Sequence, residues 1–580
     1  MKPVENMLRK SNLLSNVIME LKGSATLGVN KIIEDLKRQN IEVIALTAGE
    51  PDQDVPEYIK NAAKAAIDNF LTNRYTSSVG LPDLRGKIAT NINISLDQQF
   101  YSLNDVIVTN GCKQGLFNLF LATLNDQDEI IIPTPYWPSY EAVIKLFKGK
   151  PVFLPSDEAL QFSVLDLENA ITAKTKFLLL NSPNNPTGIV YDPEFLSQVL
   201  MIAIKHNIYI IADDIYDFLI YDEEKYKPLV KILSDLSQSS AQEPRHGLVQ
   251  DQDSSLNSAQ NMNQSSIQDQ EPRQDSEQDQ VSGQEPNQSS IQDQPSIQDQ
   301  EPLQDSEQDQ RQGSGQEPNQ FSKQDQESEQ DQVSGQDPNQ SLRQDQGSEQ
   351  DQVSGQKGLK KYLVQSSGQN LSHNTGFNPN KIQSKSCTSI QNPDHNESFL
   401  NNLIIINGPS KKYAMMGWRL GWLVSKNASL INAIQNIQSQ QISNVCNIVQ
   451  YAMIAALNEE NNNTKVYQSY INQFKATYLS RKEFMCKKLE CLEEFGITFI
   501  RPQGAFYIFL NLKPFLNKTN KTIEEVTKEL LYQAHVAVIS GKPFGNDFCI
   551  RISFTKSLDI LEVGINQIIN YLVSFYNNIV

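Results

Sequence analysis

Short apolar runs recur along the chain, each closed by turn residues. DVIVTN (105–110), EIIIPTP (129–135), PVFLP (151–155), KFLLLNSP (176–183), IYIIADD (208–214) and NLIIING (402–408) are too short for helices. Between several of them the pattern turns helical, as in GLFNLFLATL (115–124) and PEFLSQVLMIAIKHN (193–207). Continuous apolar strands alternating with helices predict a largely parallel sheet covered on both faces. Towards the C-terminus a long polar helix over about Thr464–Phe495 precedes ITFIRPQGAFYIFLNL (497–512) and CIRISF (549–554), which read as strands of a smaller α+β unit.

This alternation stops from Ser237 to Glu397. EPRQDSEQDQVSGQEPNQSSIQDQ at Glu271 returns as EPLQDSEQDQRQGSGQEPNQFSKQDQ at Glu301, with partial copies from Ser328 and Ser348. Ordering a backbone costs roughly 1–2 kcal/mol per residue, and apolar side chains are too rare here to offset it. The repeats also lack the apolar stripe a solenoid needs. The segment reads as a disordered Gln/Asp/Ser-rich insertion in a surface connection, which the logarithmic growth of loop-closure entropy tolerates. The expected division is 1–49 as an N-terminal arm with part of the small domain, 50–465 as the large domain interrupted at 237–397, and 466–580 as the small C-terminal domain.

Charge follows the same boundary. Ser237–Gln356 holds 24 Asp/Glu against five Lys/Arg, a net charge of −19 within a chain total of −18. The remainder is near neutral, so neither a nucleic-acid face nor an acidic surface is implied. The six cysteines form no CxxC pair and are too sparse for a disulfide framework. Reduced thiols in the cytoplasm are expected, and no metal site. The N-terminal stretch MKPVENMLRKSNLLSNVIMELKG mixes charges into its apolar positions, unlike a signal peptide. Nothing approaches the roughly 20 apolar residues of a membrane span.

In open parallel sheets ligand groups collect at the carboxyl ends of the strands. Here DVIVTN is followed by Gly111, Cys112 and Lys113, and EIIIPTP by Tyr136 and Trp137. KFLLL is followed by Asn181 to Gly188, IYIIA by Asp213, Asp214 and Tyr216, and NLIII by Lys411 and then Arg419. Together they supply what a phosphorylated pyridine aldehyde needs. Helix-start amides and an arginine take the phosphate, and an indole covers the ring. A carboxylate keeps the ring nitrogen protonated, and a lysine bonds to the aldehyde. Taken singly, each has a plainer reading. Trp137 packs a turn, Asp213 caps a helix, Asn185 shapes a turn, and Arg551 joins a surface ion pair.

The chain resembles the class I/II aminotransferases, fold type I enzymes dependent on pyridoxal 5'-phosphate. The resemblance rests on TAGEPD (47–52), RYTSSVGLPDLR (74–85), NGCKQGLFNLF (110–120), PTPYWPSY (133–140), NSPNNPTG (181–188), ADDIY (212–216), SKKYAMMGWRLG (410–421), PQGAFY (502–507) and RISF (551–554), in family order. It implies a mostly parallel seven-stranded sheet in a three-layer large domain. Lys411 is the implied Schiff-base lysine, eight residues before the phosphate arginine Arg419. Lys412 falls at a variable position and is expected to face solvent. Asp213 is implied under the pyridine nitrogen, Tyr216 and Asn185 at the ring oxygen, Trp137 over the ring, and the amides of Cys112 and Lys113 at the phosphate. Tyr75 is implied to reach the phosphate of a neighbouring subunit, hence a homodimer with shared active sites. Arg551 and Gly49 are implied at the substrate α-carboxylate, alongside Trp137 and Asn185.

Two positions depart from the family pattern. Gly408 stands where many members have a phosphate-binding serine, and Pro409 where a small or apolar residue is usual. His206 and His535, the two histidines outside the insertion, match no motif.

Within the family the nearest resemblance is to bacterial-type aspartate aminotransferases, including those that accept prephenate. LKGSATLGVN (21–30) is similar to that subgroup's substrate-closing segment. It implies Lys113 at the distal carboxylate, Ser24 and Thr26 as polar helpers, and Lys22 in prephenate use. The implied reaction converts L-aspartate and 2-oxoglutarate to oxaloacetate and L-glutamate, with prephenate to arogenate as a second activity. The alternatives are an alanine, aromatic or kynurenine-type aminotransferase, a C–S lyase, or a scaffold that works through its insertion.

Overall fold

The computed structural model describes residues 14–21, 23–242 and 399–577. The stretch from 243 to 398, and with it nearly all of the expected insertion, lies outside the described residues.

The apolar runs form a seven-stranded sheet from β2 (Val106–Thr109), β3 (Glu129–Pro133), β4 (Lys150–Leu154), β5 (Thr175–Leu180), β6 (Tyr209–Asp213), β7 (Leu403–Asn407) and β8 (Gly421–Ser425). Their spatial order is β2-β8-β7-β6-β5-β3-β4. The pairings β3–β4, β3–β5, β5–β6 and β6–β7 are parallel, whereas β8 runs antiparallel to both neighbours.

Alternate residues of one strand enter different cores. Leu178, Leu180, Ile210, Ala212, Leu403 and Ile405 pack on one face. Phe177, Leu179, Ile211, Ile404 and Ile406 pack on the other. Both faces are therefore dry, which is why these strands read as unbroken apolar runs instead of alternating ones. Helices Glu57–Ile67, Pro82–Leu96, Pro193–Lys205 and Asn447–Asn461 cover the first face. Helices Cys112–Thr123, Ser139–Leu146 and Ala428–Gln441 cover the second, giving three layers.

Strand β8 was not among the runs singled out above. Its GWLVS sequence sits directly behind a motif and is shorter in apolar content than its neighbours. The helix Leu229–Gln242 also extends past the boundary expected at Ser237. Ser237 is buried there and donates from its hydroxyl to the Leu233 carbonyl at 2.8 Å, so the helix outlasts its last apolar positions.

In the C-terminal part, β9 (Thr498–Phe499), β10 (Tyr507–Asn511), β12 (Ile539–Ser540) and β13 (Cys549–Ser553) form an antiparallel sheet in the order β12-β13-β10-β9. Helix Lys465–Leu489, capped by the Thr464 hydroxyl, and helix Leu558–Asn577 bury Phe474, Tyr478, Met485, Leu561 and Ile565 against it. A parallel pair joins β1 (Ile44–Ala45) to β11 (Val536–Ala537). Among the described residues no helix is long and apolar enough to cross a membrane.

Candidate active site

The sheet topology decides where the motif residues meet. Strands β3, β5, β6 and β7 are parallel, and two antiparallel steps through β8 bring β2 into the same direction. Their carboxyl ends therefore share one edge, where β8 begins. A cavity of about 330 Å3 opens there, lined in part by Gly49, Cys112, Lys113, Trp137, Asn185, Asp213, Tyr216, Lys411, Arg419 and Arg551.

One end of the cavity is a backbone cradle. Gly111 caps helix Cys112–Thr123 with φ +84°, in the left-handed region glycine favours. A Cβ there would lie 2.5 Å from an Arg419 guanidinium nitrogen. A Cβ on Gly421 would lie 2.5 Å from the Cys112 amide nitrogen, and one on Gly408 3.0 Å from Gly421 Cα and 3.1 Å from Cys112 Sγ. Three glycines thus let three chain segments converge with a guanidinium on the start of a 12-residue helix. Unpaired amides and a cation at one point make an anion site. The space beside Gly408 is tight against the Cys112 thiol and the backbone of Leu420 and Gly421, so a serine there requires these neighbours to shift by a few tenths of an ångström.

Lys411 Nζ enters the cavity and donates to the Gly49 carbonyl at 2.5 Å. Burial, only partly countered by Glu50 and reinforced by Arg551, lowers its amine from the usual 10.5 to about 8. Lys412, expected in solvent, is instead buried against Glu460 on helix Asn447–Asn461. That expectation fails because a partner 48 residues away in sequence leaves no local trace.

Asp213 ends β6 and is 4% exposed. Its Oδ2 accepts from the Tyr140 hydroxyl at 2.6 Å. Burial raises its carboxyl to about 6 despite that bond and the nearby Lys411. Asn181 Nδ2 donates to the Asp213 carbonyl at 2.8 Å, and Asn181 Oδ1 accepts from the Asn185 amide at 2.9 Å. Asn185 Oδ1 in turn accepts from Arg551 Nη1 at 2.9 Å.

Arg551 is no surface residue: it is 3% exposed. Its guanidinium carbon stands 4.6 Å from the Tyr507 ring centre and 5.0 Å from that of Phe544, and Nη2 donates to the Thr47 carbonyl at 2.5 Å. Its Nε is buried with no hydrogen-bond partner. Lys113 Nζ lies 4.9 Å from the Trp137 ring, and burial together with Arg419 lowers its pKa. Tyr216 and Tyr507 join hydroxyls at 2.9 Å.

Not every anticipated residue arrives at the cavity. Tyr75, implied at the phosphate of a neighbouring subunit, is 88% exposed and outside its own chain's cavity. Ser24 is exposed at the start of helix Ala25–Arg38 and does not line it. Lys22 and the Thr26 side chain lie outside the described residues. Leu27 and Asn30 of the same helix line the cavity instead, with Asn30 Oδ1 accepting from the Thr47 hydroxyl at 3.1 Å. Tyr140, Asn181 and Tyr507 were also missed, although each lies inside a motif quoted above and two are aromatic residues that packing would explain equally well.

A family model described as aminotransferase class I and II matches residues 41–245 and 382–568. An aspartate aminotransferase of Bacillus sp. (strain YM-2) is 27% identical over 559 residues, 96% of this chain and 98% of that protein. One from Bacillus subtilis (strain 168) is 26% identical with the same coverage. A protein of Aquifex aeolicus (strain VF5) named as a probable aspartate/prephenate aminotransferase is 23% identical, covering 96% and 97%. The fold is similar to that of a Thermus thermophilus aspartate aminotransferase solved with maleate, at TM-score 0.62 and 22% identity, covering 96% of this chain and 98% of that one. With the family matched on both sides of the insertion, the chain belongs to the class I and II aminotransferases, enzymes that depend on pyridoxal phosphate.

Proposed function

We propose that the chain moves the amino group of L-aspartate to 2-oxoglutarate, giving oxaloacetate and L-glutamate, with prephenate to arogenate as a second activity. The observation that carries this is the pair of cations bordering Lys411: Arg551, whose buried Nε lacks a partner, and the partly desolvated Lys113. The buried Arg551 guanidinium needs an anion, and the Lys113 ammonium, exposed at the cavity, offers a second contact, so a dicarboxylic amino acid satisfies both. Relatives named as aspartate and aspartate/prephenate aminotransferases support the same choice.

The residues present fit pyridoxal phosphate. The three-glycine cradle admits a phosphate, Asp213 is a buried carboxyl short of a cation, and Lys411 is an amine close to losing its proton at neutral pH. When bound, the cofactor supplies an aldehyde for the amino group and a ring that delocalises the electron pair left at the substrate Cα. Arg419 and the amides of Cys112 and Lys113 would hold the phosphate, and Trp137 would cover the ring. Asp213, steered by Tyr140, keeps the ring nitrogen protonated. Tyr216 and Asn185 face the ring oxygen. Arg551 and Gly49 receive the α-carboxylate and Lys113 the distal one. Lys411 Nζ would carry the proton from the substrate Cα to the cofactor's C4′ carbon, and in the opposite direction in the second half-reaction.

Tyr75, projecting free of its own chain, serves the phosphate of a second copy, so the enzyme works as a homodimer. A cytoplasmic location accords with free cysteines at 112, 446, 486, 491 and 549.

The test is a panel of amino donors with Lys113→Ala. The variant should lose about 100-fold in kcat/KM for aspartate and glutamate, as expected for an unpaired buried carboxylate, and keep its rate with alanine. Equal loss for alanine would refute the dicarboxylate reading. Borohydride reduction and peptide mapping should place the cofactor label on Lys411 alone.

A further inference from the structure

The PQGAFY motif contributes no residue to the roles above, yet its tyrosine touches three of them. Tyr507 opens β10, is 1% exposed and lines the cavity. Its hydroxyl meets that of Tyr216 at 2.9 Å. The same hydroxyl fills the space over Gly49, where an added Cβ would come within 1.7 Å of it. Its ring lies under Arg551, whose guanidinium carbon is 4.6 Å from the ring centre, with Phe544 at 5.0 Å. Phe509 of β10 stands opposite Arg551 of β13 in the ladder, so Tyr507 is two residues along the same strand and on the same face.

The hydroxyl pair admits two arrangements. Burial raises both phenols, so each keeps its proton at neutral pH. One O–H must then donate to the other oxygen, and the second O–H is left to point elsewhere. A Tyr216 that donates to Tyr507 has no proton to offer the cavity. A Tyr216 that accepts from Tyr507 offers its proton inward.

We propose that Tyr507 is a positioning residue: its hydroxyl donates to Tyr216, turning the Tyr216 proton towards the cofactor's ring oxygen, while its ring seats Arg551 for the substrate carboxylate. This rests on the reading of Tyr216 and Arg551 given above. Gly49 is then needed for a second reason, since any side chain there would displace the hydroxyl that sets Tyr216.

The holoenzyme tests this with Tyr507→Phe and Tyr507→Leu, read by the pH midpoint of the visible absorption change and by maleate affinity. The phenylalanine variant removes the proton that polarises and orients Tyr216, which weakens the Tyr216 donor to the ring oxygen; the coupled group then holds its proton to higher pH, so the midpoint should rise by about half a unit. Its maleate affinity should not change, because the ring remains. The leucine variant should bind maleate about tenfold more weakly as the cation loses its aromatic face. An unmoved midpoint in the phenylalanine variant overturns the hydroxyl's role. A tenfold weaker maleate affinity in that variant, or an unchanged one in a folded leucine variant, overturns the ring's. Tyr216→Phe and Arg551→Lys separate the two levels. If neither shifts the midpoint or maleate binding, the underlying site reading fails; if both do and Tyr507 variants do not, only this inference fails.

Discussion

Lys412 and Glu460 form an ion pair inside the protein, carried by the residue next to Lys411. The Lys412 side chain is 18% exposed and that of Glu460 9%. Glu460 also accepts from the Tyr413 hydroxyl at 2.5 Å, and the Tyr470 hydroxyl donates to the Lys412 carbonyl at 2.8 Å. The short helix Pro409–Lys412 is thereby tied to helices Asn447–Asn461 and Lys465–Leu489. Two adjacent lysines end in opposite chemistry. Burial without a close partner prepares one amine to lose its proton, and burial against a carboxylate fixes the charge of the other.

Breaking that pair from one side should be costly. Burial works against both charges, but Glu460 raises the Lys412 pKa above its usual 10.5 and Lys412 holds Glu460 below its usual 4.5. The stabilisation is complete between those two values. It is lost as pH falls through the depressed carboxyl or rises through the elevated amine. Glu460→Gln at pH 7 should destabilise the protein by about 3–5 kcal/mol, because an unpaired ammonium stays buried. Adding Lys412→Met should recover most of the loss. Denaturant midpoints of the single and double variants check both statements.

Lys411 should behave in the opposite sense. Its folded pKa of about 8 lies below the usual 10.5, so the unfolded chain binds the proton more tightly. In the cofactor-free protein the residue then weakens stability below pH 8, and the penalty fades as pH rises from 8 to 10.5. Lys411→Met should accordingly stabilise the apoprotein at pH 7, by about 3 kcal/mol on the size of the shift, while abolishing transamination. The rate at which apoprotein takes up pyridoxal phosphate should rise with pH, half-maximal near 8. Thermal midpoints and stopped-flow absorbance measure the two effects.

Much of this site is legible before any coordinates, because its residues cluster at strand ends, and strand ends are visible as β-branched runs stopped by Gly, Asn and Pro. Asp213 and Asn185 stand where that rule puts them. Partners set by tertiary packing are not visible in this way. Glu460 lies in a polar Asn/Glu tract of the sequence, and nothing local marks it as the counterion of Lys412. Tyr140 and Tyr507 look like ordinary core aromatics; what sets them apart is the Tyr140 hydroxyl on Asp213 and, for Tyr507, a hydroxyl on Tyr216 and a ring face under Arg551. The helix Ala25–Arg38 contributes Leu27 and Asn30 to the cavity lining, where its motif suggested Ser24 and Thr26.

Asp213 couples cofactor binding to charge. Burial disfavours the anion and raises its carboxyl to about 6, so in the cofactor-free protein it costs stability as pH rises from the usual 3.8 through 6. A protonated ring nitrogen beside it would remove that penalty. The rise in melting temperature on adding pyridoxal phosphate at pH 7.5 should therefore be markedly larger for the native chain than for Asp213→Asn, which keeps the shape and the Tyr140 contact without the charge. Equal rises would mean that Asp213 does not face the ring nitrogen.

The long segment between Gln242 and Phe399 connects two strands that already pair: β6 lies parallel to β7, with Asp213 opposite Ile406. The residues that bring Asp213 and Lys411 together are thus in the sheet, and the intervening chain has only to permit the crossover. Deleting 243–398 and joining the ends with a flexible linker should leave kcat/KM for aspartate nearly unchanged. A deletion begun at Ser237 should do worse, because it cuts the last turn of helix Leu229–Gln242 and removes a buried residue bonded to Leu233. That difference is expected in stability more than in chemistry, since Leu229, Val230, Ile232 and Leu233 all belong to the core that covers the first sheet face and none of them lines the cavity. Comparing the melting temperatures and turnover of the two deletions decides it. Loss of turnover in the shorter deletion, with the fold intact, would mean that the segment itself takes part in catalysis.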